Sequence, residues 1–527
     1  MDLSPLVRIA ARTRLAKLDR QDPARAQARV LLEMVRQARG TRFGIDHDFA
    51  GIGSVRDFQD RVPIRQFAEF WSQYWQPAWP RLDNVSWPGR IPFFAMTSGT
   101  STGRTKYIPV TRRIIKDNER VGFDLMAHHL AHRPESRPLA GKSFILGGST
   151  ALEEVAPGVF AGDVSGINTM LTPAWVKRNI FPPADQARIA NWDEKLDVLS
   201  RLVLDERVTM MSGMCNWVLF MLDRVRELRR ATGAVSGPTF PDLQLLIHGG
   251  VAMDIYRDRL APHLDGAPVE TRELYPASEG FIAYADRGHG EGMRLMCDNR
   301  LFFEFVPMSE LGSDRPVRHW ASNIERDVDY ALVLSNCAGL WSYLLGDVVR
   351  FVDVRPPRLL ILGRITQKLN PFGEHLIAAE LEEAVQAAAR EIGVVIVEFT
   401  VGPVFPQQPG QPGHHVYVVE TTAARGTPDP GLTARFVNHL DRVLRESNYD
   451  YDGHRQGDSA IGRPRVCWVG PGTFEAWMRS KGKMGRQHKV PHVTPQPDRF
   501  AAMCDELGVP GAVQRDRNRI EPEVQHA

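Results

Sequence analysis

The feature that most constrains this chain is an alternation of short apolar runs with longer amphipathic stretches. "KSFILGGS" and "LQLLIHGG" read as buried strands ending in glycine turns, and "RLFFEFVP", "YALVLSN", "VVRFVDV" and "RLLILGR" follow as further strands. Between the first two lies "DEKLDVLSRLVLDERVTMMSGMCNWVLFMLDRVRELRRATG", whose spacing predicts two long helices joined near Ser212–Gly213. Strands alternating with helices imply layered α/β architecture. At 527 residues the chain is too long for one compact core, so two domains are expected, with a third not excluded by length.

The first ninety residues read as helical, with "ARAQARVLLEMVRQARGTRFG" stopping near Gly40. "WSQYWQPAWPRLDNVSWP" reads as an irregular packed segment whose tryptophans serve core or interdomain packing. After Gly363 the texture changes. "AAELEEAVQAAAREIG" is an amphipathic helix, "VVIVEFTVG" and "HHVYVVETT" are strands, and "LTARFVNHLDRVLRES" is another helix. "PVFPQQPGQPG" has too many prolines to continue either strand and reads as a flexible hairpin loop. The expectation is a large N-terminal α/β domain over residues 1–365, β-sheets flanked by helices, and a small mobile C-terminal α+β lid over 366–527.

Charge excludes some functions. With 65 basic against 63 acidic residues there is no electrostatic case for a nucleic-acid or membrane-surface partner. Five scattered cysteines form no zinc or disulfide pattern and read as buried thiols. No window of eighteen uncharged apolar residues spans a membrane, and Met1–Arg20 lacks the apolar core of a signal peptide. Cytoplasmic residence, as a monomer, is the expectation.

Four short constellations carry chemistry. "FFAMTSGTSTGRTKYIPVT", Phe93 to Thr111, places Thr97, Ser98, Gly99, Thr100, Ser101, Thr102 and Gly103 in one loop before Lys106. Its amides and hydroxyls can converge on phosphate oxygens, with Lys106 as a mobile point charge. The spacing fails the P-loop pattern, and the composition suits a plain surface turn equally well. In "ETRELYPASEGFIAY", Tyr275 can stack on a purine and Glu279 can hold a magnesium ion bridging phosphates, or can be a helix N-terminal carboxylate. In "AGLWSYLLGDVVRFVD", Asp347 is a turn residue or a carboxylate accepting ribose hydroxyls. In "LLILGRITQKLNPFGEHL", Arg364 ends a strand at the expected hinge, within reach of ribose or phosphate.

In combination these stretches resemble the adenylate-forming enzymes, and among them the Gretchen-Hagen-type, auxin-responsive acyl acid–amido synthetases. "TSGTSTGRTKYIP" is similar to that family's phosphate loop, "LYPASEG" to its Tyr-x-x-Ser-Glu block, and "AGLWSYLLGDVVRF" to its AGL-aromatic…GD block. "IGRPRVCWVGPGTFEAWMRSKGKMGRQHKVPHV" is similar to its ending, with the GTFE and Q-x-K-x-P signatures. The likeness runs over roughly residues 30 to 495.

The resemblance implies ATP and Mg²⁺ as cofactors and two small-molecule substrates, a carboxylic acid and an amino acid. The acid is adenylated with release of pyrophosphate, then passed to the amine as an amide. It implies that Ser98, Gly99, Thr100, Ser101, Gly103 and Lys106 hold the departing phosphates, that Tyr275 stacks near adenine and that Ser278 bonds near the α-phosphate. Glu279 would hold Mg²⁺, Asp347 and more weakly Arg364 the ribose, and Lys489 would contact phosphate or adenylate from the lid, with Lys481 and Lys483 as alternatives. Three departures stand out. Pro276 replaces a common Gly, "LGRITQKLNPFGEHL" is closer to the general superfamily's hinge, and His492 replaces the usual Arg after Lys-x-Pro. "TMMSGMCNWVLFML" and "LGGSTALEEVAPGVFAGDVSG" are expected acyl-pocket walls, although a Met- and Trp-rich stretch like the former is more often a plain core helix, and His248 reads as a strand-end histidine. An acid–CoA ligase sharing the adenylation step, or a silent carboxylate or nucleotide binder, stays open as an alternative.

Overall fold

The computed structural model describes residues 2, 4–98, 105–233, 237–249, 256–288, 290–365, 369–372, 374, 376–405, 412–422, 428–455, 461–482 and 490–509. The chain divides into two compact units, one reaching to Ile361 and one starting at Leu362.

The first unit is built on an eleven-stranded sheet. In order across it lie Leu301–Pro307, Asp329–Asn336, Tyr343–Val354, Pro357–Arg364, Met293–Leu295, Ala283–Tyr284, Glu270–Tyr275, Leu245–Gly249, Val208–Gly213, Lys142–Leu146 and Ile180–Phe181. The strands from Glu270–Tyr275 to Ile180–Phe181 run parallel, joined by helical connections. On its other side Glu270–Tyr275 pairs antiparallel with Ala283–Tyr284, so the sheet changes character at this strand.

One element differs from the sequence reading. The expected first long helix ends at Leu202, and Val208–Gly213 is a central strand before the helix Cys215–Ala231. Its first four residues are buried, as in a parallel strand covered on both faces, which leaves a continuous apolar run with no alternation to mark it.

The edge of the sheet is covered by the helix Pro23–Ala38. Asp22 caps it by accepting from the Arg25 amide, Pro23 enters its first turn, and its apolar stripe from Ala26 to Ala38 is buried. Gln27, fully buried on that stripe, donates to the Cys297 and Leu301 carbonyls and accepts from the Phe303 amide. Its amide thus satisfies main-chain groups of the edge strand Leu301–Pro307 that would otherwise lie open.

A four-stranded sheet, Thr105–Val110, Phe93–Ser98, Val159–Gly162 and Glu153–Ala156, carries the hydroxyl-rich loop. The Trp/Pro segment packs beneath it. Trp79 meets Phe94 at 4.7 Å and Tyr107 at 4.5 Å between ring centroids, and Trp75 is fully buried, so these tryptophans are core.

The second unit is α+β. Ile396–Val404 pairs antiparallel with His414–Thr421, which pairs in parallel with Arg465–Val469, and the helices Ala378–Ile392 and Pro430–Ser447 pack together. The mixed α/β class with a separate C-terminal α+β domain is the class the sequence implied. Among the described residues no helix is long and apolar enough to cross a membrane. All five cysteines are free thiols, four buried and Cys467 half-buried.

Candidate active site

The hydroxyl-rich loop joins two antiparallel strands. Ser98 pairs with Thr105 and Thr97 with Lys106, so the loop caps a hairpin. Gly99, Thr100, Ser101, Thr102 and Gly103 lie outside the described residues, as do Lys483 and Lys489. Lys106 stands at the foot of the loop with its ammonium 5.6 Å from the Phe67 ring centroid.

Tyr275 ends the last parallel strand of the large sheet, where the sheet turns antiparallel. In open α/β sheets such a switch at the carboxyl ends of strands is where ligands gather. Its phenol donates to Asp347 Oδ2 at 2.5 Å, joining blocks 72 residues apart. The aromatic ring is only 4% exposed and sits in the main core cluster. The ring expected to stack near adenine thus has little exposed face here, and its hydroxyl is engaged by Asp347.

Asp347 is also not on a turn. It lies within the twelve-residue strand Tyr343–Val354. Pairing with Asp329–Asn336 shifts register there, because Ala331 faces Val348 but Val333 faces Leu344. Gly346 takes φ +94° at this irregularity, a conformation a side chain would strain. The bulge re-aims Asp347 toward Tyr275, a common use of bulges beside sites. Ser278 and Glu279 follow in a turn closed by the Gly280 amide on the Ala277 carbonyl, so the helix-terminus reading of Glu279 falls. Both side chains are largely buried, Glu279 at 6% exposure.

The helix Arg112–His132, which directly follows the hairpin, touches both other blocks. Thr111, its cap, accepts from the Ile114 amide and donates to the Cys337 carbonyl of the AGL block. Asp117 accepts from the Arg300 amide at 3.3 Å; burial pushes its carboxyl up to about 6, against the pull of Arg113 and Arg120. Asn118 Oδ1 accepts from the Phe281 amide at 2.9 Å. The AGL turn is bonded in turn to the Glu279 block: Asn336 Nδ2 donates to the Glu279 carbonyl at 2.8 Å, and its Oδ1 accepts from Ala338 and Leu340. Gly339, φ +93°, lets this turn lie against Ser86, where a Cβ would stand 2.3 Å from the serine hydroxyl. None of these asparagine, threonine and aspartate anchors was read from the sequence. Isolated polar residues inside strand ends and helices carry no periodicity; the only available signal for Asn336 was its place directly before the Cys-Ala-Gly-Leu turn.

Arg364 ends the strand Pro357–Arg364 and belongs to the second unit, half-buried. In that unit the tail signature is anchored at His492. Its Nδ1 donates to Glu382 Oε1 at 2.6 Å and its Nε2 to Glu398 Oε1 at 2.8 Å. Two donors to two carboxylates require the imidazolium, whose pKa the glutamates raise to about 10 against the opposing cost of burial. The position that departs from arginine thus still carries a cation. Lys481 is engaged with Glu506 at 2.6 Å.

The expected acyl-pocket stretch "TMMSGMCNWVLFML" divides between a strand and a helix whose apolar side chains are largely buried. His248 lies within the buried strand Leu245–Gly249. In "LGGSTAL", the turn after Lys142–Leu146 is held by buried Lys195, which donates to the carbonyls of Gly147, Gly148 and Ala187.

Among the described residues no group of three or more His, Cys, Asp or Glu is arranged to hold a metal ion. A single carboxylate suits magnesium, which keeps its waters and takes further oxygens from phosphates.

The fold is that of the adenylate-forming enzymes. Superposition on a solved acyl acid amido synthetase, AtGH3.15 in complex with 2,4-DB, gives a TM-score of 0.77 at 17% identity over 95% of this chain and 96% of that one. A 2-hydroxyisobutyryl-CoA ligase bound to 2-HIB-AMP superposes at 0.55, 14% identical over 94% and 91%.

The chain belongs to the GH3 family: the GH3 N-terminal domain matches residues 13–172, the central domain 294–364 and the C-terminal domain 379–498. Among curated relatives, the indole-3-acetic acid-amido synthetase GH3.8 of Oryza sativa subsp. indica is 29% identical over 279 residues. That alignment takes in 48% of this chain and 43% of the rice protein. The GH3.3 enzyme of the same description from Arabidopsis thaliana is 25% identical over 57% of this chain and 53% of its own length. The chain thus spans about half the length of these two relatives.

Proposed function

We propose that this chain is an ATP-dependent acyl acid–amido synthetase. A carboxylate oxygen of the acid attacks the α-phosphorus of ATP, the bond to the pyrophosphate oxygen breaks, and an acyl-adenylate forms. The amine nitrogen of an amino acid then attacks the acyl carbon. AMP leaves with the electrons of the C–O bond, the nitrogen loses a proton, and an amide results. The observation that carries this reading is the bond between Tyr275 and Asp347, which in a GH3-family chain brings the Glu279-bearing turn and the acidic bulge to one place.

The residues take roles that suit in-line displacement, where positioning and charge neutralisation matter more than covalent help. Ser98, Gly99, Thr100, Ser101 and Gly103 bind the departing phosphates with Lys106. Asp347 accepts the ribose hydroxyls, oriented by Tyr275. Ser278 bonds near the α-phosphate. Arg364 and Lys489 are assigned to ribose and phosphate respectively. Glu279 would hold magnesium, whose charge would offset that of the phosphates.

The test is acid-dependent exchange of labelled pyrophosphate into ATP, across a panel that begins with the indole-3-acetic acid for which the two plant relatives are named. Exchange is expected with at least one acid, and Glu279→Ala and Asp347→Ala each abolish it while the protein stays folded. Loaded enzyme is then offered amino acids or CoA and the products weighed by mass spectrometry. A thioester without an amide overturns the proposal in favour of an acid–CoA ligase, and no exchange with any acid overturns the enzyme reading.

A further inference from the structure

Three buried asparagines bond the main chain of Glu279 and of Phe281, two residues further along the same segment. Asn336, at the end of the strand Asp329–Asn336, donates to the Glu279 carbonyl at 2.8 Å. Asn118, on the helix Arg112–His132, accepts from the Phe281 amide at 2.9 Å. Asn299, just before the strand Leu301–Pro307, donates to the Phe281 carbonyl at 3.2 Å. Their exposures are 0%, 4% and 0%. Two main-chain bonds add to these: the Gly280 amide meets the Ala277 carbonyl at 3.1 Å and the Ile282 amide the Tyr275 carbonyl at 2.9 Å.

A segment between two paired strands would ordinarily be held by the turn alone, open to water. Here it is gripped by side chains from three separate elements, each buried and each spending an amide on main chain. Satisfying buried backbone explains why such bonds are kept once the segment is buried. It does not explain why three such side chains meet within the short segment that carries the one carboxylate assigned to the metal. Main chain fixed in advance beneath the carboxylate lowers the ordering cost when metal and nucleotide arrive, which is the advantage of a preorganised site.

We propose that Asn336, Asn118 and Asn299 are positioning residues for the Glu279 carboxylate, setting the affinity of the site for the divalent ion that accompanies the nucleotide. The inference rests on the role given to Glu279 above. Asn336 holds the same turn that leads into the Asp347 strand, so one side chain ties the metal carboxylate to the ribose-binding bulge.

Asn336→Asp keeps the oxygen that accepts from Ala338 and Leu340 but removes the donor to the Glu279 carbonyl. Asn118→Ala removes the second grip from a helical position that tolerates alanine. Two readouts are used on the full chain: binding of Mn²⁺ in the presence of α,β-methylene-ATP, followed by electron paramagnetic resonance, and pyrophosphate exchange as a function of Mg²⁺. Loss of an outer-shell partner typically weakens metal affinity about tenfold or more. Each variant is expected to weaken Mn²⁺ binding and raise the Mg²⁺ requirement by about that factor.

In a Glu279→Gln background the same substitutions should change Mn²⁺ binding less than about twofold, because the group they act through is gone. Undiminished effects in that background, or exchange lowered equally at every Mg²⁺ concentration, overturn the positioning role. Should the wild type bind Mn²⁺ with the nucleotide but exchange no pyrophosphate, the functional reading fails while the positioning role is still decided by the binding series. If Glu279→Gln itself leaves Mn²⁺ binding unchanged, both the assignment of Glu279 and this inference fall.

Discussion

His492 offers a perturbation whose size follows from the structure. Its imidazolium is about 12% exposed, bonded to Glu382 on the helix Ala378–Ile392 and to Glu398 on the strand Ile396–Val404, and stacked on Phe399 at 4.5 Å. The folded pKa of about 10 exceeds the ordinary 6.5. A raised pKa means the folded chain holds a proton the unfolded chain gives up, so the stabilisation is complete below pH 6.5 and is lost as pH rises toward 10. At about 1.4 kcal/mol per pKa unit, the linkage supplies about 4 kcal/mol at pH 7 and about 1 kcal/mol at pH 9. The upper figure is of the order expected for breaking a buried ion pair from one side.

His492→Gln should therefore destabilise the second unit strongly at neutral pH and weakly at high pH. Around His492 the chain runs as an added strand: the Val401 amide donates to the His492 carbonyl, and the Thr494 amide to the Val401 carbonyl, both at 2.8 Å. Hydrogen exchange at these two amides reads the anchor locally, alongside denaturant unfolding of wild type and variant across that pH range. The expected result is faster exchange in the variant at neutral pH and convergence of the two proteins toward pH 10. A difference that stays constant across this range would refute the imidazolium bridge, because a neutral histidine making ordinary hydrogen bonds has no such slope.

Three further perturbations address other parts of the molecule. Tyr275→Phe removes one hydrogen bond to the Asp347 carboxylate and should raise the KM for ATP in exchange by about tenfold, near the 1.5–3 kcal/mol typical of bonds to charged groups; an unchanged KM would detach Tyr275 from the ribose carboxylate. Glu304→Ala strands the Arg318 guanidinium, which bonds to both Glu304 oxygens at 2.8 Å and is 9% exposed, and should cost about 3–5 kcal/mol by chemical denaturation. Lys195 is buried and its pKa is pushed down to about 8 by that burial. A lowered lysine pKa makes stability rise with pH from about 8 toward the ordinary 10.5, a slope that Lys195→Met should remove; an identical slope in both proteins would count against it.

What the sequence discloses and what it conceals follow different physics. The helices Pro23–Ala38, Ala378–Ile392 and Pro430–Ser447 announce themselves because each buries one stripe and caps its ends with local chemistry. The strand Val208–Gly213 does not, since burial on both faces removes the alternation that distinguishes it from helix. The same division holds at the site. Lys106, Tyr275, Glu279 and Asp347 are visible as motif residues, yet their settings are not. A bulge at Gly346 and a turn at Ser278–Glu279 depend on pairing with strands far away in sequence. Asn118 and Asn299 are legible only in three dimensions, because a side chain that satisfies remote main chain leaves no local pattern, and Asn336 is marked only by its place before the Cys-Ala-Gly-Leu turn.

The location of the site has a reason in the sheet itself. Strand Glu270–Tyr275 is the last of the parallel set, and its far neighbour runs antiparallel. Parallel strands carry helical connections away from their carboxyl ends, while the antiparallel side is free to fold its turns back over the same edge. At that edge the Glu279 turn can meet Asn336 from one antiparallel strand, Asp347 can meet Tyr275 from the next, and the helix after the hydroxyl-rich hairpin can reach Phe281. A carboxylate moved a few residues along Tyr343–Val354, away from the bulge, would keep the motif's composition but lose the junction. That is why the order of the blocks along the chain carries more information than any block alone: it specifies which strand ends meet at the switch, where Tyr275 bonds Asp347 and Asn336 bonds Glu279.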